Sequence, residues 1–137
     1  MSTSFPYPIP EYGAEAFWAA CDDERLVMQR CDSCDKFRWH PAPRCDACGN
    51  DGFQWTELSG QGVVHSWTRV THPVHPAAHD KVPYVVAEIE LAEQSGLTMI
   101  SNIVKADSER VAIGAAVRLI FDKHPNGQKL PVFALEV

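Results

Sequence analysis

Residues 31–48 read CDSCDKFRWHPAPRCDAC, and this stretch decides the fold. Two C-x-x-C pairs, separated by ten residues, supply four thiolates in the two-plus-two arrangement that tetrahedral zinc prefers. Because four cysteines leave no open coordination position, we expect one structural zinc ion per chain and no catalytic metal. A redox-active C-x-x-C motif and a pair of disulfides are the alternatives. The predicted zinc ligands are Cys31, Cys34, Cys45 and Cys48.

Each C-x-x-C pair is expected to form a tight knuckle whose backbone N–H groups point at the sulfurs. Gly49 follows the second pair and Asp35 the first, and both tolerate a left-handed backbone better than most residues. His40 lies between the pairs, but four better-spaced cysteines make it a poor candidate ligand. Its neighbour Trp39 is predicted to cover the metal site or to contribute to an interface.

Length and composition limit the number of domains and the compartment. The 137 residues, 45% of them hydrophobic, suffice for one modest core with a metal-bound appendage, and two large domains do not fit. Residues 1–13 have no basic region followed by an apolar run, so we expect no signal peptide. No apolar stretch in the sequence approaches the length of a membrane span, so we expect no membrane association. With five cysteines, an odd number, a cytoplasmic location is predicted. Cys21 is then expected to be a small buried apolar residue.

The net charge of −6 argues against a nucleic-acid polymer as partner, because such binders usually carry a basic face. Basic residues nevertheless cluster around the cysteine pairs. Two interpretations are open: a solvated surface interspersed with acidic residues, and a small anion site sized for a few phosphates. The cluster consists of Arg25, Arg30, Lys36, Arg38 and Arg44.

The order of local patterns predicts a mainly β protein in three parts. Residues 1–25 are expected to form a proline-containing arm and a helix over 11–22, and residues 26–52 the zinc ribbon, with short strands at 26–30 and 37–40. Residues 53–137 contain short strands without a convincing helix between them, which favours a closed five-stranded barrel of the OB-fold type over an open sandwich. Six segments of this part have strand-like patterns, and Gly60 and Gly62 between the first two suit a sharply bent first strand of the barrel: 53–58, 63–70, 84–91, 97–104, 117–121 and 132–137.

A second histidine cluster lies in the loop 71–83, where HPVHPAAHD places three histidines at spacings of three and four. Such a set binds a metal if the loop is helical, but Pro73 and Pro76 oppose a regular helix. A loop that faces a ligand or partner and a solvent-exposed loop are the other interpretations. The residues are His72, His75, His79 and Asp80.

The motifs RCDSC and PAPRCDACG, LSGQGVVHSWTRV, PYVVAEIEL, VAIGAAVRLIF and LPVF follow one another in this order. Together they resemble the domain-of-unknown-function 35 (DUF35) family, acyl-CoA-associated OB-fold proteins with a rubredoxin-like zinc ribbon. The resemblance extends over nearly the whole chain from about residue 12. Two features depart from the family pattern: Asp35 replaces a frequent glycine, and the turn at residues 93–96 is longer than the usual short acidic-glycine turn.

The resemblance implies an accessory subunit of a thiolase-superfamily enzyme (a thiolase, an acyl-CoA condensing enzyme or a steroid side-chain retro-aldolase), with the catalytic residues on the partner. It also implies an α2β2 assembly in which this chain helps to enclose an acyl-CoA substrate. The chain itself has no recognisable catalytic motif, so activity of the chain alone is not expected. The alternative function is single-stranded nucleic-acid binding by the barrel, which the acidic balance opposes.

Within an acyl-CoA complex, cationic side chains are expected to meet the CoA phosphates, and less polar ones to line the acyl channel. The candidates for phosphate contact are Lys36, Arg38 and Arg44. The candidates for the acyl channel are His72, His75 and Tyr84.

Overall fold

A computed structural model describes residues 8–11, 13–105 and 108–136. Within this part of the chain, one α-helix precedes eight strands, and two short 3-10 helices, Pro76–Ala78 and Ser108–Arg110, lie in the loops. The other elements are α1 (Glu15–Asp22), β1 (Val27–Cys31), β2 (Phe37–Arg38), β3 (Phe53–Glu57), β4 (Gln61–Val70), β5 (Tyr84–Leu91), β6 (Thr98–Ile103), β7 (Ala116–Lys123) and β8 (Lys129–Leu135).

Helix α1 begins four residues later than the sequence predicts, because Gly13 has a φ of +93°, outside the helical region. The Glu15 side chain accepts a hydrogen bond from the Gly13 N–H at 2.9 Å and so supports the helix start. Phe17, Ala20 and Cys21 form its buried stripe, whereas Ala16, which the helical spacing also predicts on that face, is exposed. Tyr12 and the first seven residues of the predicted arm lie outside the described residues.

The ribbon is a three-stranded antiparallel sheet in the order β2-β1-β3. The pairing of β3 differs from the sequence-based expectation, which places residues 53–58 in the barrel, because β3 pairs with β1 of the ribbon. The chain turns back after the second knuckle, and β3 returns along β1, with Val27 opposite Glu57 and Cys31 opposite Phe53. Each strand of this sheet thus leads into or away from a C-x-x-C pair.

The five remaining strands form a closed barrel in the order β4-β5-β6-β8-β7, which confirms the predicted five-stranded barrel. The strands are antiparallel except for the β6–β8 pair, which runs parallel. At Gly62, β4 pairs with both β5 and β7, and a Cβ there would lie 2.7 Å from the backbone oxygen of Glu90. Glycine is therefore required by this close approach.

One hydrophobic core extends through the helix, the ribbon and the barrel. Phe17 of α1 and Met28 of β1 belong to the same buried cluster as Ile89 of β5 and Phe133 of β8. The alternating burial of β5 supplies one wall of this cluster, as its sequence predicts. The side chains of the ribbon and the barrel therefore pack directly against one another.

Among the described residues, no helix has both the length and the apolar character needed to cross a membrane.

Candidate metal centre and flanking grooves

The four predicted zinc ligands come together at the end of the ribbon, with their Sγ atoms within 4.8 Å of one another. The Sγ–Sγ distance is 3.5 Å for Cys31 and Cys48, and also 3.5 Å for Cys34 and Cys45. A tetrahedron with Zn–S bonds of 2.3 Å has edges of about 3.8 Å. The sulfurs therefore fit a single zinc ion, which would cross-link the two knuckles. His40 does not belong to this cluster.

The two knuckles have matching backbone geometry. The N–H of Ser33 donates to Cys31 Sγ, and the N–H of Ala47 donates to Cys45 Sγ, both at 3.4 Å. The predicted left-handed positions are confirmed, with φ of +65° at Asp35 and +78° at Gly49. These donors stabilise negative charge on sulfur, as a thiolate–metal site requires.

Local hydrogen bonds and burial shift the pKa values of three of the four cysteines. The backbone N–H of Cys34 lowers the pKa of the Cys31 thiol to about 6, and the N–H of Cys48 lowers that of Cys45. For Cys34, the backbone N–H of Lys36 lowers the pKa of the thiol. Hydrogen bonding with Cys45 and burial act in the opposite direction and prevail, so that the pKa of Cys34 is raised to about 12. Four sulfurs this close need positive charge between them to be ionised together, and a divalent ion supplies it.

Arg38, one of the predicted phosphate contacts, is 4% exposed and is bound within the ribbon. Its Nη1 donates to the carbonyl of Ala42 at 2.9 Å, and its Nη2 donates to those of Asn50 and Gly52 at 3.2 Å. The guanidinium also lies over the Phe53 ring, 5.1 Å from its centroid. These contacts give Arg38 a structural role that its charge alone does not reveal.

Lys36 and Arg44 lie on the surface beside the metal centre. Lys36 Nζ bonds to the Asp46 carboxylate at 2.9 Å, which raises the pKa of Lys36 and lowers that of Asp46. Arg44 Nη1 donates to the carbonyl of Gly49 at 3.3 Å. The structure thus brings the three predicted cations together around one cavity of about 350 Å³. Its lining also includes Trp39, His40, Gln94, Gly96 and Thr98.

The histidines of the loop 71–83 are not assembled into a metal site among the described residues. His72 is exposed. His75 is half-buried, and its Nδ1 accepts a hydrogen bond from the N–H of Ala77 at 3.0 Å, which caps the short helix Pro76–Ala78. The Nδ1 of His75 is therefore used in a local cap.

Tyr84 lines a groove of about 560 Å³ on the outer side of the barrel. The described lining of this groove does not include His72 or His75, so the three acyl-channel candidates are not brought together there. A second groove of about 520 Å³ lies beside it, and Pro8, Trp18 and Trp39 contribute to its lining. The grooves share residues of β6 and β8, which we call the β6–β8 face: Ile100, Ser101, Asn102, Leu130 and Val132.

The β6–β8 face was missed by reasoning from the sequence, although one signal was present. Ile100 follows the buried Met99 on β6 and therefore points outwards, where it is 70% exposed. A single exposed apolar residue is common on protein surfaces, but Ile100 shares both grooves with the apolar Leu130 and Val132, and a contiguous apolar patch is typical of an interaction site. Trp18, beside the buried stripe of α1, extends the same apolar surface.

Comparison with known proteins identifies both parts of the chain. Residues 18–54 match the model of the ChsH2 rubredoxin-like zinc ribbon domain, and residues 55–122 match that of the ChsH2 C-terminal OB-fold domain. A DUF35 domain-containing scaffold protein of Methanothermobacter thermautotrophicus is 31% identical over 99 residues, which is 72% of each chain. The chain belongs to the DUF35 family.

Other relatives of this DUF35 chain are subunits of larger assemblies. A probable enoyl-CoA hydratase alpha subunit of Thermomonospora curvata is 39% identical over 119 residues, 86% of this chain. The chain spans 36% of that subunit's length. The solved structure of an Ltp2-ChsH2(DUF35) aldolase contains a chain with 34% sequence identity and a TM-score of 0.85, matched over 96% of this chain and 100% of that one.

Proposed function

We propose that this chain is an accessory, non-catalytic subunit that docks on a thiolase-like enzyme and helps to enclose its acyl-CoA substrate. The observation that carries the proposal is the match, over nearly the whole chain, to a chain of the Ltp2-ChsH2(DUF35) aldolase. The enoyl-CoA hydratase alpha subunit among the relatives supports a CoA thioester as the substrate class. We propose an α2β2 heterotetramer, as the family resemblance implies, and, from the odd number of cysteines, a location in the cytoplasm.

The β6–β8 face is the proposed docking surface. Its two grooves have room for side chains of a partner, and Ile100 stands exposed between them. Trp18 and Tyr84 flank it on either side, and aromatic residues are enriched at the centres of protein interfaces. Apolar contact in this patch is therefore expected to provide most of the affinity.

The CoA phosphates are proposed to meet Lys36 and Arg44 at the cavity beside the metal centre. Both side chains are solvent-accessible there, and both can donate charge-assisted hydrogen bonds to phosphate oxygens. Arg38 adds positive charge to the same cavity, but its Nη donors are directed at backbone carbonyls. For the acyl channel, Tyr84 is the preferred candidate, with His72 and His75 as further candidates on the neighbouring loop.

Co-expression with thiolase-superfamily proteins of the same genome, followed by size-exclusion chromatography with light scattering, tests the proposal. The expected result is a stable complex that turns over an acyl-CoA, by thiolysis, condensation or retro-aldol cleavage, faster than the partner alone. The proposal is wrong if no thiolase-superfamily protein co-elutes with the chain.

Two matched variants test the docking surface. Ile100→Arg places a charge in the centre of the β6–β8 face and is expected to weaken partner binding at least about 10-fold, because interface centres tolerate unpaired charge poorly. Ile113→Arg is the control, since Ile113 is 73% exposed and lines neither groove. Equal affinities of the two variants would exclude this face as the interface.

A further inference from the structure

The turn between β5 and β6, residues 93–96, is one of the two places where the sequence departs from the family pattern, and it contacts the ribbon. Gln94 Oε1 accepts a hydrogen bond from the backbone N–H of Phe37 at 2.8 Å. Gln94 Nε2 donates to the backbone carbonyl of the same residue at 3.3 Å. One side chain of the barrel thus satisfies both backbone groups of a residue 57 positions away.

This contact covers an open strand edge. β2 lies at the edge of the ribbon sheet, and Phe37 directs its N–H and C=O to Gln94 on the side away from β1. A carboxamide places an acceptor oxygen and N–H donors side by side, and Gln94 uses one of each on Phe37, so it takes the place of a neighbouring strand. The same contact protects the edge from pairing with other chains.

A second side chain of the turn attaches to the other end of the ribbon. Glu93 Oε2 accepts a hydrogen bond from the N–H of Ser59 at 2.7 Å, in the link between β3 and β4. The turn itself is supported by the Gly96 N–H, which donates to Glu90 Oε2 at 2.9 Å. The turn therefore holds the ribbon at its β2 edge and at its exit towards the barrel.

Helix α1 is attached to the barrel by a different amide, at the turn between β7 and β8. Gln128 Nε2 donates to the carbonyl of Trp18 at 3.3 Å and to Asp22 Oδ1 at 3.0 Å. The contact through Gln94 is thus distinct from the one that docks α1. It borders the 350 Å³ cavity that Lys36 and Arg44 line, so a shift of the β2 edge would change the shape of that cavity.

We propose that Gln94 is a positioning residue that fixes the β2 edge on the barrel and so sets the orientation in which the zinc ribbon and the barrel are presented together to a partner enzyme. The effect of Gln94 on the orientation of ribbon and barrel is a property of this chain alone, whereas its effect on partner binding rests on the proposed function.

The first test uses the full-length, zinc-loaded chain and measures amide hydrogen exchange at Phe37 and residual dipolar couplings of ribbon and barrel amides. In Gln94→Ala, exchange at Phe37 is expected to be roughly 5- to 30-fold faster, as follows from losing one or two hydrogen bonds. The couplings of β2 and of the barrel should no longer fit one common alignment.

Gln94→Glu retains the acceptor and loses the donor, so the Phe37 N–H should stay better protected than in Gln94→Ala. This difference separates the specific hydrogen bonds from a general loosening of the turn. Ser95→Ala, at the next and exposed position of the turn, and Gln54→Ala, at an exposed position of β3, are the controls and should match the wild type. Unchanged exchange at Phe37 and one common alignment in Gln94→Ala would overturn the proposal.

The second test uses a complex with a thiolase-superfamily protein and compares partner affinity of Gln94→Ala with that of Ser95→Ala. A loss of about 10-fold, with equal zinc content, is expected. If Gln94→Ala alters the orientation of ribbon and barrel but binds the partner with unchanged affinity, Gln94 has no role in partner binding, and its role in orientation stands. If the wild-type chain binds no thiolase-like protein, the proposed function fails, and the exchange and coupling measurements still decide the role of Gln94.

Discussion

Removal of the metal is expected to destabilise the barrel as well as the ribbon, although the sulfurs are confined to the ribbon. The perturbation is a strong chelator, or the variant Cys45→Ser, which removes one of the four ligands. Because β1 and β2 contribute to the shared core, unfolding the ribbon exposes barrel side chains to water. The zinc-loaded chain should unfold in one transition, and the zinc-free chain should melt at lower temperature.

The magnitude follows from the side chains that the ribbon contributes to the core. Leu26, Met28 and Phe37 are 1%, 0% and 8% exposed. Burying a side chain of this kind contributes about 1.5–3 kcal/mol, so the three together contribute about 5–9 kcal/mol as an upper estimate. A domain of this size has a total stability of about 5–15 kcal/mol. The barrel without a folded ribbon is therefore expected to be marginal.

The assay combines zinc content by mass spectrometry with calorimetric and near-ultraviolet circular dichroism melts. Zinc removal should lower the melting midpoint by at least about 15 °C, from the usual relation between midpoint and unfolding free energy. Ser33→Ala is the matched control, because the backbone N–H that donates to Cys31 Sγ remains in alanine. A barrel transition that keeps its midpoint after all zinc has left would refute the reasoning.

Three further predictions concern single residues. Arg38→Ala leaves the Ala42 carbonyl without a donor and removes the second donor from the carbonyls of Asn50 and Gly52. It should lower the unfolding free energy by about 2–3 kcal/mol in urea titrations, whereas the exposed Arg44→Ala should lower it by about 0.5 kcal/mol or less. Equal losses would contradict the structural role of Arg38. Burial, and secondarily the charge of Asp22, raise the pKa of Cys21 to about 12, so the unfolded chain releases this proton first and stability should fall as pH rises from about 9 towards 12. The variant Cys21→Ala should keep its zinc, and its unfolding free energy should fall less over this pH range. If the urea midpoints of the variant and the wild type fall in parallel, the buried thiol is not the cause of the pH dependence. Gly62→Ala should lower the unfolding free energy, measured in thermal melts, by about 1–3 kcal/mol, because the added Cβ would contact the Glu90 carbonyl. An unchanged melting midpoint would mean that the strands are further apart than the structure shows.

Features with a local cause were predictable from the sequence. The metal centre follows from the spacing within and between the C-x-x-C pairs, and the left-handed residues after each pair follow from knuckle geometry. Strand β5 was predicted at residues 84–91 and spans Tyr84–Leu91, because its alternating pattern matches a strand with one buried face.

Features that depend on distant parts of the chain were not predictable. The pattern of residues 53–58 indicates a strand but contains no information about its partner, so β3 was grouped with the barrel. The presence of an arginine at position 38 does not reveal that its side chain is buried and bound to backbone carbonyls. The contact of Gln94 with Phe37 joins residues 57 positions apart, and no local signal points to it.

The pairing of β3 has a practical consequence for recombining members of this family. The two family models meet between residues 54 and 55, in the middle of a strand that belongs to the ribbon sheet. Leu58, directly after that strand, donates its N–H to the carbonyl of Leu26 and is buried. A hybrid that takes its ribbon from a relative should therefore change parent after Leu58, and it should take the turn at residues 93–96 from the parent that supplies β2.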